Sequence, residues 1–261
     1  MNDLWSGGIA YERFMGRWSS LVAEKFLKWL SIPAGKCWLD VGCGSGTLTK
    51  LILETQKPSK IISMDSSEEF ITYAKKILNN TLVQFNVGKA ESLNLESGSI
   101  DVVVSGLVLN FIPQPEDAIR EMMRVTKPGG TIGIFLWDYS DGMKTLRYFW
   151  DAAIELDSNA KEFDEGLRFP LCKKGELELL FRKAGLKDVN EIPIEIDTHF
   201  KNFNDYWQPF LGNVGPAPVY AMSLEPKDRK QLEMKIRNSL PVKKVGSISI
   251  TARAWAAKGI V

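Results

Sequence analysis

The sequence predicts an α/β fold: a doubly wound, mostly parallel sheet of seven strands with an antiparallel edge hairpin. Three observations predict it. A strand at 38–41 runs straight into a glycine turn, the run Ile100-Asp101-Val102-Val103-Val104-Ser105 is dense in β-branched residues, and strand and helix patterns alternate regularly from 38 to 137. Such alternation implies right-handed crossovers, with ligands at the carboxyl ends of the strands.

The elements follow in order. Phe14, Trp18, Leu21, Val22, Phe26, Trp29 and Leu30 recur at helical spacing, so one or two helices span 11–31 and form an N-terminal lid within 1–35. After the glycine turn, Thr47 to Thr55 reads as a helix and Lys60 to Asp65 as a short buried strand ending on an acid. Ser66 or Ser67 with Glu69 supplies a capping signal for a helix through Leu78, and a strand follows near Leu82 to Val87. The run 100–105 is the central strand, and Asp117 to Val125 is helical. Lys127-Pro128-Gly129-Gly130 ends that helix before a strand from Thr131 to Trp137.

Beyond 137 the pattern loosens. Helices are predicted at Lys144 to Leu156 and Lys173 to Ala184, and strands at Asp188 to Ile196 and Ser247 to Ala256 form the edge hairpin. Between these strands, Pro226 opens a helix with Leu232, Ile236 and Leu240 in a stripe. The expected organisation is one domain, 1–261, with a core at 36–138 and caps at 139–175 and 198–244.

Composition narrows the function classes. A chain of 261 residues that is 44% hydrophobic and 25% charged can bury one substantial core. With 33 Lys plus Arg against 32 Asp plus Glu, no global field draws it to nucleic acid or anionic membrane, which favours a small substrate. Three cysteines without a C-x-x-C pair suit a reducing compartment and argue against structural zinc, and no metal is expected. The N-terminal residues lack a basic region followed by an apolar core, and no run is long enough to span a membrane. The expected location is the cytoplasm, as monomer or homodimer.

The chemistry concentrates in Trp38-Leu39-Asp40-Val41-Gly42-Cys43-Gly44-Ser45-Gly46-Thr47. Gly42, Gly44 and Gly46 let backbone N–H groups approach a ligand closely. The dinucleotide pattern fails because Thr47 stands where glycine or alanine is needed, and the phosphate-loop pattern fails for want of a Gly-Lys pair. Asp40, on the strand before the turn, opposes a pyrophosphate and suits an ammonium group. The ligand expected is a nucleoside carrying a cation. Asp65, at the end of the next strand, is placed to accept both ribose hydroxyls, a solvated helix-entry acid being the alternative.

Leu39 to Thr49, LDVGCGSGTLT, resembles the first motif of the class I S-adenosylmethionine-dependent methyltransferases, of the methyltransferase-11 or ubiquinone-biosynthesis-like type, and Asp65-Ser-Ser-Glu-Glu-Phe resembles the second. The resemblance implies a Rossmann-like fold, S-adenosyl-L-methionine as cofactor with S-adenosyl-L-homocysteine as product, and in-line methyl transfer to an acceptor. It assigns cofactor contacts to Asp40, Gly42, Cys43, Gly44, Asp65 and Ser66. Gly88-Lys89-Ala90-Glu91-Ser92-Leu93 resembles the adenine-binding turn, but Lys89 stands where the family usually carries an acid. The adenine contact then falls to the backbone near Ala90, with Glu91 beside it.

Ser105 ends the central strand near the transferred methyl group. Asn110 stands close to where relatives often carry histidine, and asparagine is no general base at neutral pH. Tyr11 to Trp18 resembles a lid helix in which Tyr11 and Arg17 reach the cofactor carboxylate, a solvated helix face being the alternative. Asn110, Tyr139 and Tyr206 are the candidate catalytic residues, with core packing as the alternative for the aromatic pair. His199 reads as a surface or hinge residue. A small-molecule acceptor is expected; an RNA or protein methyltransferase and a non-catalytic cofactor-binding protein are the competing readings.

Overall fold

The computed structural model describes residues 16–212 and 215–261. Tyr11 and the rest of the expected lid before Gly16 lie outside these residues. The secondary structure runs α1 Arg17–Leu30, β1 Cys37–Val41, α2 Thr47–Thr55, β2 Lys60–Asp65, α3 Glu68–Ile77, β3 Val83–Val87, β4 Ile100–Gly106, α4 Pro115–Val125 and β5 Thr126–Trp137. It continues with α5 Lys144–Leu156, α6 Glu165–Arg168, α7 Glu176–Ala184, β6 Lys187–Phe200, α8 Phe203–Trp207, α9 Pro216–Ser223, α10 Pro226–Ser239 and β7 Ile248–Ile260.

Seven strands form one sheet in the order β3-β2-β1-β4-β5-β7-β6. The first five are parallel, with Asp40 of β1 in register with Ser63 of β2 and Val104 of β4. The edge strands β7 and β6 are antiparallel, as expected, and longer than the sequence pattern suggests. The boundary between α4 and β5 differs too. Lys127-Pro128-Gly129-Gly130 does not separate α4 from its strand; β5 begins at Thr126, and the register with β4 jumps from Ile100↔Thr126 to Val102↔Thr131. The proline and glycines form an irregularity inside the strand, where Gly129 N donates to Val261 O at 2.9 Å and Val261 N to Gly130 O at 3.1 Å. A turn signal was absorbed by pairing with a strand far away in sequence.

The chain divides into two compact units. The first comprises Ser19–Leu136, Lys174–Ile194 and Trp255–Val261. Its β-strands bury Trp38, Leu39, Val103, Ile132 and Ile134 completely, as strands covered on both faces must. Phe26 of α1 packs on Phe135 with ring centroids 4.8 Å apart, an aromatic contact whose truncation typically costs about 3–5 kcal/mol. Helix α3 shows why local signals were legible: Ser67 Oγ accepts from Phe70 N, Glu68 and Glu69 occupy the first turn, and Lys75 and Lys76 the last. Helix α7 starts at Glu176, not Lys173, because Gly175 takes the left-handed N-cap position.

The second unit comprises Trp137–Lys173, Glu195–Ala254 and the first segment through Trp18. Its centre is aromatic: Phe149 stacks on Phe210 at 4.7 Å and meets Trp150 edge-on at 5.0 Å. A buried ion pair stiffens it. Arg147 meets both Asp164 oxygens, at 3.0 and 2.7 Å, and also donates to Tyr139 O at 3.0 Å. Beside it, Trp150 Nε1 donates to Glu165 Oε2; Glu165 is buried, and burial pushes its carboxyl up to about 8.

Candidate functional site

The site grows from the junction of β1 and α2. Gly42 N and Cys43 N both donate to Met64 O, at 2.7 and 2.9 Å, so the turn is tied to the end of β2. Gly42 has φ +74°, and a Cβ there would lie 2.6 Å from both Val108 methyl carbons; this glycine is dictated by packing. Gly44, at φ +51°, has no atom of the described residues within 4 Å of an added Cβ.

Asp65 closes the turn from the other side. Its Oδ2 accepts from Gly44 N and its Oδ1 from Ser67 N, each at 2.9 Å. Each carboxylate oxygen keeps one further lone pair. Gly88 N donates to Asp65 O at 2.9 Å, which brings the 88–91 segment beside the same acid. In that segment Ala90 is buried, Glu91 partly buried and Lys89 exposed, and Ser66 on the far side of Asp65 is also exposed. Arg124 Nη2 and Glu121 Oε2 clamp Leu93 O and Leu93 N, at 2.7 and 2.8 Å, and fix the far end of this turn.

Asp40 is 1% exposed. Thr49 Oγ1 donates to its Oδ2 at 2.6 Å, and Ser63 Oγ lies 2.8 Å from the same hydroxyl. Thr49 has a single hydroxyl hydrogen, so Ser63 is the donor in the second bond. Oδ1 of Asp40 is buried without a partner among the described residues. Burial pushes the Asp40 carboxyl up to about 7; the Thr49 hydrogen bond opposes this and the Asp65 charge adds to it. Cys43, 6% exposed between these two acids, has its thiol pushed well up by burial and by both charges, so it is a packing residue with no reactive thiolate. Neither carboxylate has a cationic partner among the described residues.

At and just past the end of β4, Ser105 Oγ and both polar atoms of the Asn110 amide are buried without partners among the described residues. Leu107 takes φ +63°, a strained setting for a branched side chain, with its N–H bonded to Phe135 O at 2.8 Å. This kink places the Val108 methyls against Gly42. Sequence reasoning missed Thr49, Ser63, Leu107 and Val108. The i+9 spacing of Thr49 from Asp40 was the one readable signal, since it puts a hydroxyl at the start of the following helix.

The other candidates lie in the second unit. Arg17 pairs with Asp205 at 3.2 Å, and its guanidinium sits 4.3 Å and 4.7 Å from the Trp18 and Phe200 ring centroids. Tyr206 is fully buried and its hydroxyl donates to Thr145 O at 2.7 Å, so that hydroxyl has a structural post. Tyr139 is 3% exposed and packs 6.0 Å from Phe169. His199 Nδ1 lies 3.1 Å from Ser249 Oγ at an exposed position. No group of three or more His, Cys, Asp or Glu able to hold a metal occurs among the described residues.

Comparison with known proteins decides the family. The family model described as "Methyltransferase domain" matches residues 39–134, the stretch that contains the turn, Asp65 and Asn110. A demethylmenaquinone methyltransferase of Lactococcus lactis is 36% identical over 183 residues, 63% of this chain and 71% of that protein. The chain belongs to the class I S-adenosylmethionine-dependent methyltransferases. A second demethylmenaquinone methyltransferase, from Lactobacillus johnsonii, is 34% identical over 116 residues, 42% of this chain; the match spans about half, 48%, of the relative's own length. The fold is shared with a phosphoethanolamine N-methyltransferase of Haemonchus contortus in complex with S-adenosyl-L-methionine. That likeness has a TM-score of 0.62 at 17% identity over 98% of the methyltransferase chain and 57% of the other. Among the described residues no helix is long and apolar enough to cross a membrane.

Proposed function

We propose that this methyltransferase binds S-adenosyl-L-methionine against the Gly42–Gly46 turn and transfers its methyl group to a small-molecule acceptor by in-line displacement. One observation carries the reading: Asp40 presents a buried oxygen that nothing among the described residues satisfies, next to a glycine turn with no described atom within 4 Å of a Cβ added at Gly44. An unpartnered buried carboxylate oxygen is costly, and an ammonium group removes that cost where a phosphate would raise it.

The donor set fits the cofactor. Asp40 Oδ1 holds the amino group of the methionine moiety, and the remaining lone pairs of Asp65 accept the ribose hydroxyls. Backbone groups at Ala90, with Glu91, meet the adenine. The turn N–H groups of Gly42, Cys43 and Gly44 are spent on Met64 O and Asp65, so the loop shapes the site and its carboxylates bind. When bound, the cofactor supplies an electrophilic methyl group whose carbon–sulfur bond electrons leave with sulfur as the acceptor atom bonds to carbon. Ser105 and Asn110 offer the reacting region hydrogen bonds and no general base, so positioning carries the rate; alignment of reactants alone contributes about 7–11 kcal/mol. The acceptor class is supported by the near-neutral charge of the chain and by the demethylmenaquinone substrates named for its relatives.

Calorimetry tests the cofactor site: S-adenosylmethionine and S-adenosylhomocysteine bind the wild type, and Asp40→Ala and Asp65→Ala weaken both at least tenfold. Unchanged affinity in both variants refutes it. A radiolabelled-methyl assay over small phenols, quinols and amines against transfer RNA and protein extract tests the acceptor. Label appearing only in macromolecules overturns the small-molecule reading.

A further inference from the structure

The second unit contains a cavity of about 270 Å³, lined in part by Ala153, Asp157, Tyr220, Leu224, Asp228 and Leu232. Three helix faces make it. Ala153 and Asp157 are four residues apart at the end of α5, Tyr220 and Leu224 four apart at the end of α9, and Asp228 and Leu232 four apart on α10. The volume is just under the ~300 Å³ at which ligand pockets usually begin, so it suits a small molecule.

Its polar lining is two carboxylates, Asp157 and Asp228, with the Tyr220 hydroxyl and the Gln231 amide. Tyr220 is 5% exposed, lines the cavity, and has no hydrogen-bond partner for its hydroxyl among the described residues. Burial, then the Asp157 and Asp228 charges, push that phenol up, which places both carboxylates within electrostatic reach of it. Asp157 spends one oxygen on capping Asn159 N at 2.9 Å and keeps the other. Asp228 sits in the first turn of α10 and makes no side-chain hydrogen bond among the described residues. Of the two basic residues flanking it, Lys227 and Arg229, the latter is committed to Ala221 O at 2.9 Å and Leu224 O at 2.8 Å. The C-terminal ends of α5 and α9, which carry partial negative charge, also meet here, with Asp157 and Leu224 as their C-caps.

We propose that this cavity is a binding site for a small organic cation, an ammonium group bearing an apolar substituent. The ammonium lies between Asp157 and Asp228 with the Tyr220 hydroxyl as a further acceptor, and the substituent packs on Ala153, Leu224 and Leu232. A hydrated metal ion is a poor fit to a site with two carboxylates and an apolar wall.

The test uses three compounds that share a phenylethyl group, 2-phenylethylamine, 2-phenylethanol and 3-phenylpropionate, with the full chain in ligand-detected NMR and calorimetry. The amine is expected to bind at least tenfold tighter than the alcohol, and the carboxylate not at all. Asp228→Asn and Asp157→Asn, which keep helix-end hydrogen bonding, should each weaken the amine about threefold to tenfold, and Tyr220→Phe less. All three variants should bind S-adenosylhomocysteine as the wild type does, which separates this site from the cofactor site. Equal binding of amine and alcohol, no binding of the amine at 10 mM, or an amine affinity untouched by both aspartate variants overturns the proposal.

Discussion

Thr49 and Asp40 form a 2.6 Å hydrogen bond that fixes one oxygen of a buried carboxylate and leaves the other without a partner among the described residues. The bond orients Asp40 while burial holds its carboxyl at about 7, so the charge on this group is set near neutrality by the environment the fold builds.

Cofactor affinity should therefore depend on pH. An ammonium group prefers the ionised form of Asp40, so binding below pH 7 must expel a proton. Affinity is expected to fall up to tenfold per unit as pH drops from 7 to 5, and Asp40→Asn should bind weakly with that dependence gone. Calorimetry in buffers of different ionisation enthalpy measures the proton released. A flat profile in the wild type contradicts the assignment.

The two turn glycines should fail differently. Gly42→Ala drives a Cβ into Val108 at positive φ and is expected to destabilise the fold by about 2–4 kcal/mol in urea unfolding. Gly44→Ala meets no atom within 4 Å and should cost about 1 kcal/mol, yet it fills the space above the turn and should weaken S-adenosylhomocysteine severalfold. If Gly44→Ala binds normally, the cofactor does not lie over this residue.

Tyr206→Phe removes one buried hydroxyl bonded to Thr145 O. Stability should drop by about 0.5–1.5 kcal/mol while methyl-transfer rate and its pH profile stay unchanged. A large loss of kcat at wild-type stability would restore Tyr206 to the catalytic candidates.

Glu165 should shape the pH dependence of stability. Its folded carboxyl titrates near 8 and its unfolded one near 4.5, so the folded state holds the proton longer. The sign follows: stability contributed by this group is full below about pH 4.5 and is lost as pH rises toward 8. Glu165→Gln keeps an acceptor for Trp150 and should raise thermal stability at pH 8 relative to wild type, with little gain at pH 5. No difference between the two pH values would show that Glu165 is ionised throughout.

Where a residue's structure is local, the sequence spelled it out. The capping of α3 by Ser67, the glycine turn and the β-branched run of β4 depend on neighbours within a few positions, and all three stand as read. Lys127–Gly130 was misread because its partner, Val261, lies at the other end of the chain. Asp205, which pairs with Arg17, is 188 positions away, so that contact leaves no local mark in the sequence. The strain at Leu107 had no compositional mark, since leucine does not advertise a positive φ.

The strand order carries a consequence for biosynthesis. β7 lies between β5 and β6, although β6 is made first. When Lys187–Phe200 leaves the ribosome its place in the sheet does not yet exist, and it stays vacant until Ile248–Ile260 has been translated. At roughly 5–20 residues per second this leaves an alternating, aggregation-prone strand waiting for a few seconds in every molecule synthesised. Slowing translation across 201–247 would lengthen that exposure, so the yield of folded protein in the cell should track synonymous codon choice in this interval more closely than in any other.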